Sequence, residues 1–201
     1  MDSEGTFIND KGSIIVTDDL AILGILQSRV IWYVLSQIAT PLRLRAGLWQ
    51  YQLKSQFVER VPIPKLNKLE RQVIGSLATQ ITAQAKARYA LHDRVRTRIL
   101  SDLGTDGVTT LNQKLSNWWG LPRLADFQVE VKKALKCEIP VRDRDGWEDY
   151  LRERKAEHEA FTREIIRLET ELNERVYALF DLTPDEIKLI EESTKYRYGE
   201  V

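Results

Sequence analysis

Apolar positions recur along the chain with three different spacings, and each spacing predicts an element. From Leu20 to Ile38 almost every residue is apolar, with Gln27 and Arg29 as interruptions. This pattern predicts one helix buried on several sides. Thr17 or Asp18 stands where an N-cap would accept an orphan N–H, and Pro41 closes the segment. The period then shortens. Trp49-Gln50-Tyr51-Gln52-Leu53 alternates large apolar with polar residues, the signature of a half-buried strand. Phe57-Val58-Glu59-Arg60-Val61 reads as a second strand, and Pro62-Ile63-Pro64 marks an exit from the sheet. Ahead of all this, Thr6-Phe7-Ile8 and Ser13-Ile14-Ile15-Val16, set between turn signals at Gly5, Asn9-Asp10 and Gly12, predict a hairpin-like start over residues 1–17.

Helical spacing dominates the rest. Leu69, Val73, Leu77, Ile81, Ala85 and Tyr89, continued by Leu91, Val95, Ile99 and Leu103, predict a helix over 66–103, about 55 Å long at 1.5 Å per residue. Gly104 and Gly107 stop it. Residues 104–146 read as an irregular insertion with a break at Asn117-Trp118-Trp119-Gly120-Leu121-Pro122 and a short helix over Phe127–Leu135. A second long helix, 147–180, places Leu151, Arg154, His158, Phe161, Ile165, Leu168, Leu172, Arg175 and Leu179 at 3-4 spacing, a coiled-coil seam with polar interruptions. Its length matches that of the first, so the two fold back antiparallel. Thr183-Pro184-Asp185-Glu186 is a capping box with proline at N1, opening a last helix over Asp185–Thr194.

The 201 residues, 43% hydrophobic and 30% charged, suit a folded chain of one ordinary or two small domains. The single cysteine, Cys137, excludes an internal disulfide and a four-cysteine zinc site and accords with a reducing, cytoplasmic setting. Met1–Asp10 is acidic and polar, unlike a secretion leader. Leu20–Leu35 is too short and too interrupted for a membrane span. The net charge of zero hides an asymmetry. Residues 1–40 carry 2 basic and 5 acidic side chains, residues 41–103 carry 12 and 4, residues 104–146 carry 7 and 6, and residues 147–201 carry 9 and 15. A basic middle between acidic ends is either a polyanion-binding surface or a basic helix paired with an acidic one.

Three segments resemble a known family. Leu23-Gly24-Ile25-Leu26-Gln27-Ser28-Arg29 is similar to an "L-L-G-I-L-N-S-K" helix. Val61-Pro62-Ile63-Pro64 is similar to an "L-P-I-P" exit. Leu172 through Ile187, containing Val176-Tyr177-Ala178-Leu179-Phe180-Asp181-Leu182-Thr183, is similar to a closing "L-x-x-x-V-Y-x-L-Y-G-L-T-x-E-E-I", with Phe180 and Asp181 in place of tyrosine and glycine. These motifs, in this order, occur in the target-recognition region of TaqI-type and type IIG restriction–modification N6-adenine DNA methyltransferases. The resemblance implies sequence-specific recognition of double-stranded DNA. It also implies S-adenosylmethionine, bound by a catalytic domain or subunit whose glycine-rich loop and Asn-Pro-Pro-Tyr motif are not in this chain. The chain resembles a C-terminal portion of such a protein. Type I specificity subunits share the helix, the Pro-Ile-Pro exit and long paired helices, and are a competing assignment.

The candidate DNA-reading residues are Arg43, Arg45, Gln50, Gln52, Lys54, Gln56 and Arg60. Arginine reads guanine bidentately and glutamine bonds base edges, while Trp49 and Tyr51 on the other strand face would hold the strand on its core. A solvated strand edge uses the same residue types. Arg94, Arg96 and Arg98 either contact phosphate or pair with the acidic helix. Trp118 and Trp119 either stack on unpaired bases or pack the insertion. Pro184-Asp185-Glu186-Ile187-Lys188 resembles a nuclease signature, but its adjacent carboxylates serve the cap. His92 and His158 lack the companions of a catalytic histidine, and no residue forms a metal site or catalytic site.

The sequence therefore predicts a mainly α protein with a small α/β section at residues 1–65, a partial target-recognition section. A long antiparallel, coiled-coil-like helical hairpin follows, made of helices 66–103 and 147–201 around the 104–146 insertion. Its expected role is DNA target recognition within an adenine-methylating phage-defence system, with no membrane partner and a seam that could also support a homodimer. A coiled-coil interaction module without a DNA role is the alternative.

Overall fold

The computed structural model describes residues 15–45, 48–104 and 110–194. The predicted hairpin over residues 1–17 and the stop at Gly107 fall, apart from Ile15–Thr17, outside them. The elements are α1 (Leu20–Gln27), α2 (Arg29–Ile38), β1 (Thr40–Arg45), β2 (Leu48–Gln52), α3 (Ser55–Val58), α4 (Lys68–Leu103), α5 (Gln113–Ser116), α6 (Leu124–Leu135), α7 (Arg144–Leu179) and α8 (Pro184–Ser193). The protein is mainly helical with one small antiparallel sheet. The long helices α4 and α7, of 36 residues each, pack against each other. Contacts divide the chain into two compact units, one from residues up to Ile81 and from Leu168 onward, the other from Thr82 to Arg167.

In the first unit, Ile74, Leu77 and Ile81 of α4 meet Leu168, Leu172 and Val176 of α7, with Ala21, Ile25, Ile31 and Leu35 of α1 and α2 and Ile190 of α8 in the same core. The helix α4 opens on a capping box. The Asn67 side chain accepts from the Glu70 N–H at 2.9 Å, and the Asn67 N–H donates to the Glu70 carboxylate at 2.9 Å. The buried stripe of α4 is Ile74, Leu77, Ala78 and Ile81, then Arg88, Leu91, His92, Val95 and Ile99, while Leu69 (69%) and Tyr89 (65%) are exposed. The predicted stripe assumed a strict four-residue step. A helix of 3.6 residues per turn drifts off that step, and the 3-4 alternation is the one that stays on the partner. On α7 the same drift exposes Arg175, and the neighbouring Val176 takes the core position.

The predicted single helix over Leu20–Ile38 is two helices bent by 64° at Ser28. Ser28 is extended (φ −68°, ψ 154°), and the Arg29 N–H leaves the helical ladder to donate to Asn173 Oδ1 of α7 at 2.8 Å. A partner 144 residues away thus takes up the N–H at the break in a segment that reads as one apolar helix. Among the described residues, no single helix is long and apolar enough to cross a membrane.

Gly24 sits where α1 crosses α4. A Cβ there would stand 2.7 Å from Ile74 Cγ2 and 3.3 Å from the Ile74 carbonyl. Neither neighbour is the free end of a flexible chain, so Gly24→Ala is expected to destabilise the first unit by about 1–3 kcal/mol, despite alanine's better helix propensity. A denaturant titration measures the loss, and an unchanged midpoint would show that the crossing relaxes. At the other end of this unit, Asp181 adopts a left-handed conformation (φ 50°). The Leu182 N–H returns to the Tyr177 carbonyl and the Asp181 N–H to the Ala178 carbonyl, each at 3.2 Å, a Schellman closure of α7. Glycine suits that position best, which is why Asp181 stands out against the Tyr-Gly of the similar motif. The predicted capping box that opens α8 is present, with Thr183 and Glu186 bonding reciprocally.

In the second unit, residues 110–146 are more ordered than predicted. Two helices, α5 and the 12-residue α6, flank a 3-10 turn at Trp118–Gly120. Trp118, Leu115, Phe127, Val131 and Leu135 close a core over Leu91, Val95 and Ile99 of α4 and Leu151 of α7. The Asn112 side chain caps α5 by accepting from the Leu115 N–H at 2.8 Å. Cys137 donates its thiol to the Leu103 carbonyl at 3.0 Å, and burial pushes its pKa up.

Candidate nucleic-acid interface

The predicted reading segment forms a two-stranded antiparallel ribbon, and its partner strand lies upstream. The predicted strand Trp49–Leu53 is β2, but it pairs with β1, which the apolar pattern did not reveal. The predicted strand Phe57–Val61 is instead the short helix α3 and the turn after it. Local bonds close it, with the Phe57 N–H on the Lys54 carbonyl at 2.9 Å and the Glu59 N–H on the Ser55 carbonyl at 2.8 Å. Phe57 and Val61, four residues apart, are both buried. That is a helical spacing, and five residues do not distinguish it from strand alternation.

The register is Thr40 to Gln52, Pro41 to Tyr51, Arg43 to Gln50, Leu44 to Trp49 and Arg45 to Leu48, with Leu42 the extra residue of a bulge. Residues opposite one another share a face of the ribbon, and the faces alternate. One face carries Arg43, Gln50 and Gln52, and the other carries Leu44, Trp49 and Tyr51. The predicted inward anchoring of Trp49 and Tyr51 does not occur. Trp49 is 54% and Leu44 58% exposed, and Tyr51 is half-buried. A two-stranded ribbon has no second layer to cover its apolar face, so alternation here sorts side chains without burying them. The ribbon is tied down at its base instead, where Ala39 and Phe57 are buried.

Arg43, Gln50, Gln52, Lys54, Gln56 and Arg60 are all exposed. The Arg43 Nε–H donates to Gln50 Oε1 at 2.6 Å across the strands. Between residues 40 and 61 the sequence holds four basic side chains, Arg43, Arg45, Lys54 and Arg60, against one acidic, Glu59. The structure therefore brings Arg43, Gln50 and Gln52 onto one ribbon face and leaves Lys54, Gln56 and Arg60 on α3 and the turns beside it. Arg45 enters only through its backbone register opposite Leu48.

The other arginine candidates are engaged elsewhere. Arg96 donates Nε–H to the Ser116 carbonyl at 2.8 Å and lies over the Trp119 ring. Arg98 pairs with Asp102 at 3.2 Å and covers Tyr150 at 3.9 Å. Arg94 reaches Glu157 at 3.7 Å. They join the basic helix to its acidic partner and to the packed insertion.

The second unit holds a cluster that sequence reading missed as a cluster. His92 Nε2 and His158 Nδ1 are 2.8 Å apart. Trp119 stacks on His92 with ring centroids 3.8 Å apart and planes 12° apart, and on His158 at 5.1 Å. Trp118 meets His92 edge-on. Only the paired 3-4 seams of the two long helices could have signalled the meeting. Burial, then His158, Arg96 and Arg88, lower the His92 pKa to about 4. Burial and Arg88 lower that of His158, against the opposing pull of Glu159. Both rings are therefore neutral at pH 7, one donating and one accepting. Among the described residues, no group of three or more His, Cys, Asp or Glu side chains is placed to hold a metal ion.

This cluster predicts an acid-sensitive second unit. The unfolded chain binds these protons near pH 6.5, and the folded one only at lower pH. The stability that the pair contributes is whole above about pH 6.5 and is lost as pH falls toward about 4. The shifted carboxylates, such as Glu130, Glu138 and Glu186, are lowered from an ordinary value of 4.5, so their contribution begins to be lost only below about pH 5, and the stretch from about pH 6.5 to 5 reports the histidines. Urea titrations across it are expected to show a falling midpoint, and His92→Phe is expected to flatten the slope. An undiminished slope in that variant would assign the acid sensitivity to other groups.

Taken together, the class is an antiparallel helical-hairpin protein carrying an exposed two-stranded ribbon. The chain belongs to the family described as "Domain of unknown function (DUF8810)", which matches residues 67–176, just over half of the chain. That span runs from the cap of α4 to near the end of α7, and the ribbon lies before it. No curated protein and no solved structure matches the chain.

Proposed function

We propose that this chain recognises double-stranded DNA, with the β1–β2 ribbon as its reading element. We further propose that it serves an adenine-specific DNA methyltransferase or restriction–modification system. The observation that carries the reading is the amphipathic, exposed ribbon. Arg43, Gln50 and Gln52 share one face by register, and Lys54 and Arg60 add positive charge at its base. The major groove of B-DNA admits a two-stranded ribbon and presents a distinct donor–acceptor pattern for each base pair. RNA duplexes bury that groove too deeply for side chains to read. Basic side chains beside the ribbon would neutralise phosphates and set its register. The ordered resemblance to target-recognition regions supports the same reading. In it, S-adenosylmethionine and methyl transfer belong to a separate catalytic domain or subunit, and no residue of this chain is assigned to either.

Selection of a randomised duplex pool on the purified chain, at low and moderate salt, tests the proposal. Enrichment of a short motif that Arg45→Ala or Gln52→Ala relaxes is the expected result. Affinity should fall steeply with salt, and each of Lys54→Ala and Arg60→Ala should reduce the log–log slope by about 1. One observation favours a second reading, a protein-docking module. Leu44 and Trp49 are exposed side by side on the ribbon's other face. An apolar docking surface would hold its affinity as salt rises, so the same titration separates the two.

A further inference from the structure

We infer that Arg43 reads a guanine in the major groove and that Gln50 is the residue that aims it. This inference rests on the DNA reading above and adds the base and the atoms. Arg43 and Gln50 are directly opposite in the ribbon register, and Gln50 Oε1 accepts the Arg43 Nε–H at 2.6 Å. Guanidinium offers two bidentate edges, Nε with one Nη, or the two Nη atoms end-on. Gln50 occupies the first edge. The end-on pair is left, with no further protein partner among the described residues.

Two parallel N–H donors match the O6 and N7 acceptors that guanine presents side by side in the major groove. Adenine offers N7 beside an N6 donor, and cytosine offers a donor. Thymine has a single acceptor, O4. A two-donor fork therefore discriminates guanine from all three. A free arginine on a two-stranded ribbon samples many rotamers. The cross-strand bond to Gln50 removes much of that freedom before binding, so less is lost when the fork engages. Gln50 thereby positions the fork and contacts no base through its carbonyl. Gln52 lies two residues on, on the same face, and stays available to read a neighbouring base pair directly.

The experiment runs the duplex-pool selection in parallel with the whole chain, Arg43→Ala and Gln50→Ala. The enriched duplex is then re-made with 7-deazaguanine, which lacks the N7 acceptor, at each guanine in turn. The expected result is one guanine whose enrichment disappears with Arg43→Ala and weakens with Gln50→Ala. At that position 7-deazaguanine should cost the whole chain about ten- to a hundredfold in affinity and cost Arg43→Ala nothing further. Arg43 is exposed, so thermal unfolding of both variants should match that of the parent chain and exclude misfolding as the cause. An enriched motif that Arg43→Ala leaves unchanged would overturn the assignment while leaving DNA recognition standing. Salt-sensitive binding without any enriched motif would also overturn it, leaving only phosphate contact. Absence of salt-sensitive binding would overturn the DNA reading and this inference with it.

Discussion

Trp118→Ala is expected to cost the second unit about 3–5 kcal/mol, among the largest losses from any single truncation in the protein. The indole is fully buried in a 3-10 turn, among Leu91, Val95, Phe127 and Leu135. It also forms the edge against which Trp119 and His92 are set, with centroids at 5.7 and 6.2 Å. The cost combines lost transfer energy with a cavity that rigid helices on three sides cannot collapse. Hydrogen exchange resolved by segment is the decisive measurement. Protection should fall within Thr82–Arg167 and persist in α1, α2 and α8. Trp118→Phe should lose much less, partly because the buried Nε1–H has no hydrogen-bond partner among the described residues, so phenylalanine removes an unsatisfied donor. Equal losses in the two variants would contradict this account.

The second large effect is expected at Glu191. Arg29 opens α2 with its side chain only 7% exposed, 3.1 Å from the Glu191 carboxylate of α8 and 3.0 Å from Thr194 Oγ1. Removing the carboxylate takes a counter-charge from a buried guanidinium and leaves it the neutral oxygens of Thr194 among its partners. Breaking such a pair costs roughly 3–5 kcal/mol. Glu191 is one-third exposed, so Glu191→Gln is expected near the lower end, about 3 kcal/mol. Tyr177 donates to one Glu191 oxygen and Arg29 lies against the other; the single amide oxygen of glutamine can serve only one of them, so the loss combines the charge with one acceptor. Arg29→Met combined with Glu191→Gln should recover most of it, because an apolar side chain of similar volume needs no counter-charge. Urea titrations of the three variants measure this. A double variant no better than Glu191→Gln would show that the hydrogen bonds of Arg29 to Thr194, and not its charge, set the cost.

Much of the candidate interface was legible before folding. Alternation at Trp49-Gln50-Tyr51-Gln52 identified a strand, and it sorted Gln50 and Gln52 from the aromatics as the register does. The partner strand was hidden because Thr40–Arg45 contains a proline and a bulge at Leu42, which disrupt period two. The expected burial of Trp49 failed for another reason. Alternation specifies that one face is apolar, not that anything covers it.

Local chemistry explains what the sequence determined by itself. The α8 cap at Thr183 and Glu186, the long helices α4 and α7 and the strand β2 all depend on groups within about four residues of one another, so their patterns are written side by side in the chain. Tertiary structure decided the rest, because each remaining feature is settled by a partner far away in sequence. Asn173 takes the Arg29 N–H and splits the first apolar helix in two. His92 finds His158 across 66 residues, and burial, foremost, holds both rings neutral. Phe57 and Val61 turn toward the core and make α3 a helical turn. In each case a buried hydrogen bond or buried apolar surface outweighed a local preference worth less than about 1 kcal/mol per residue.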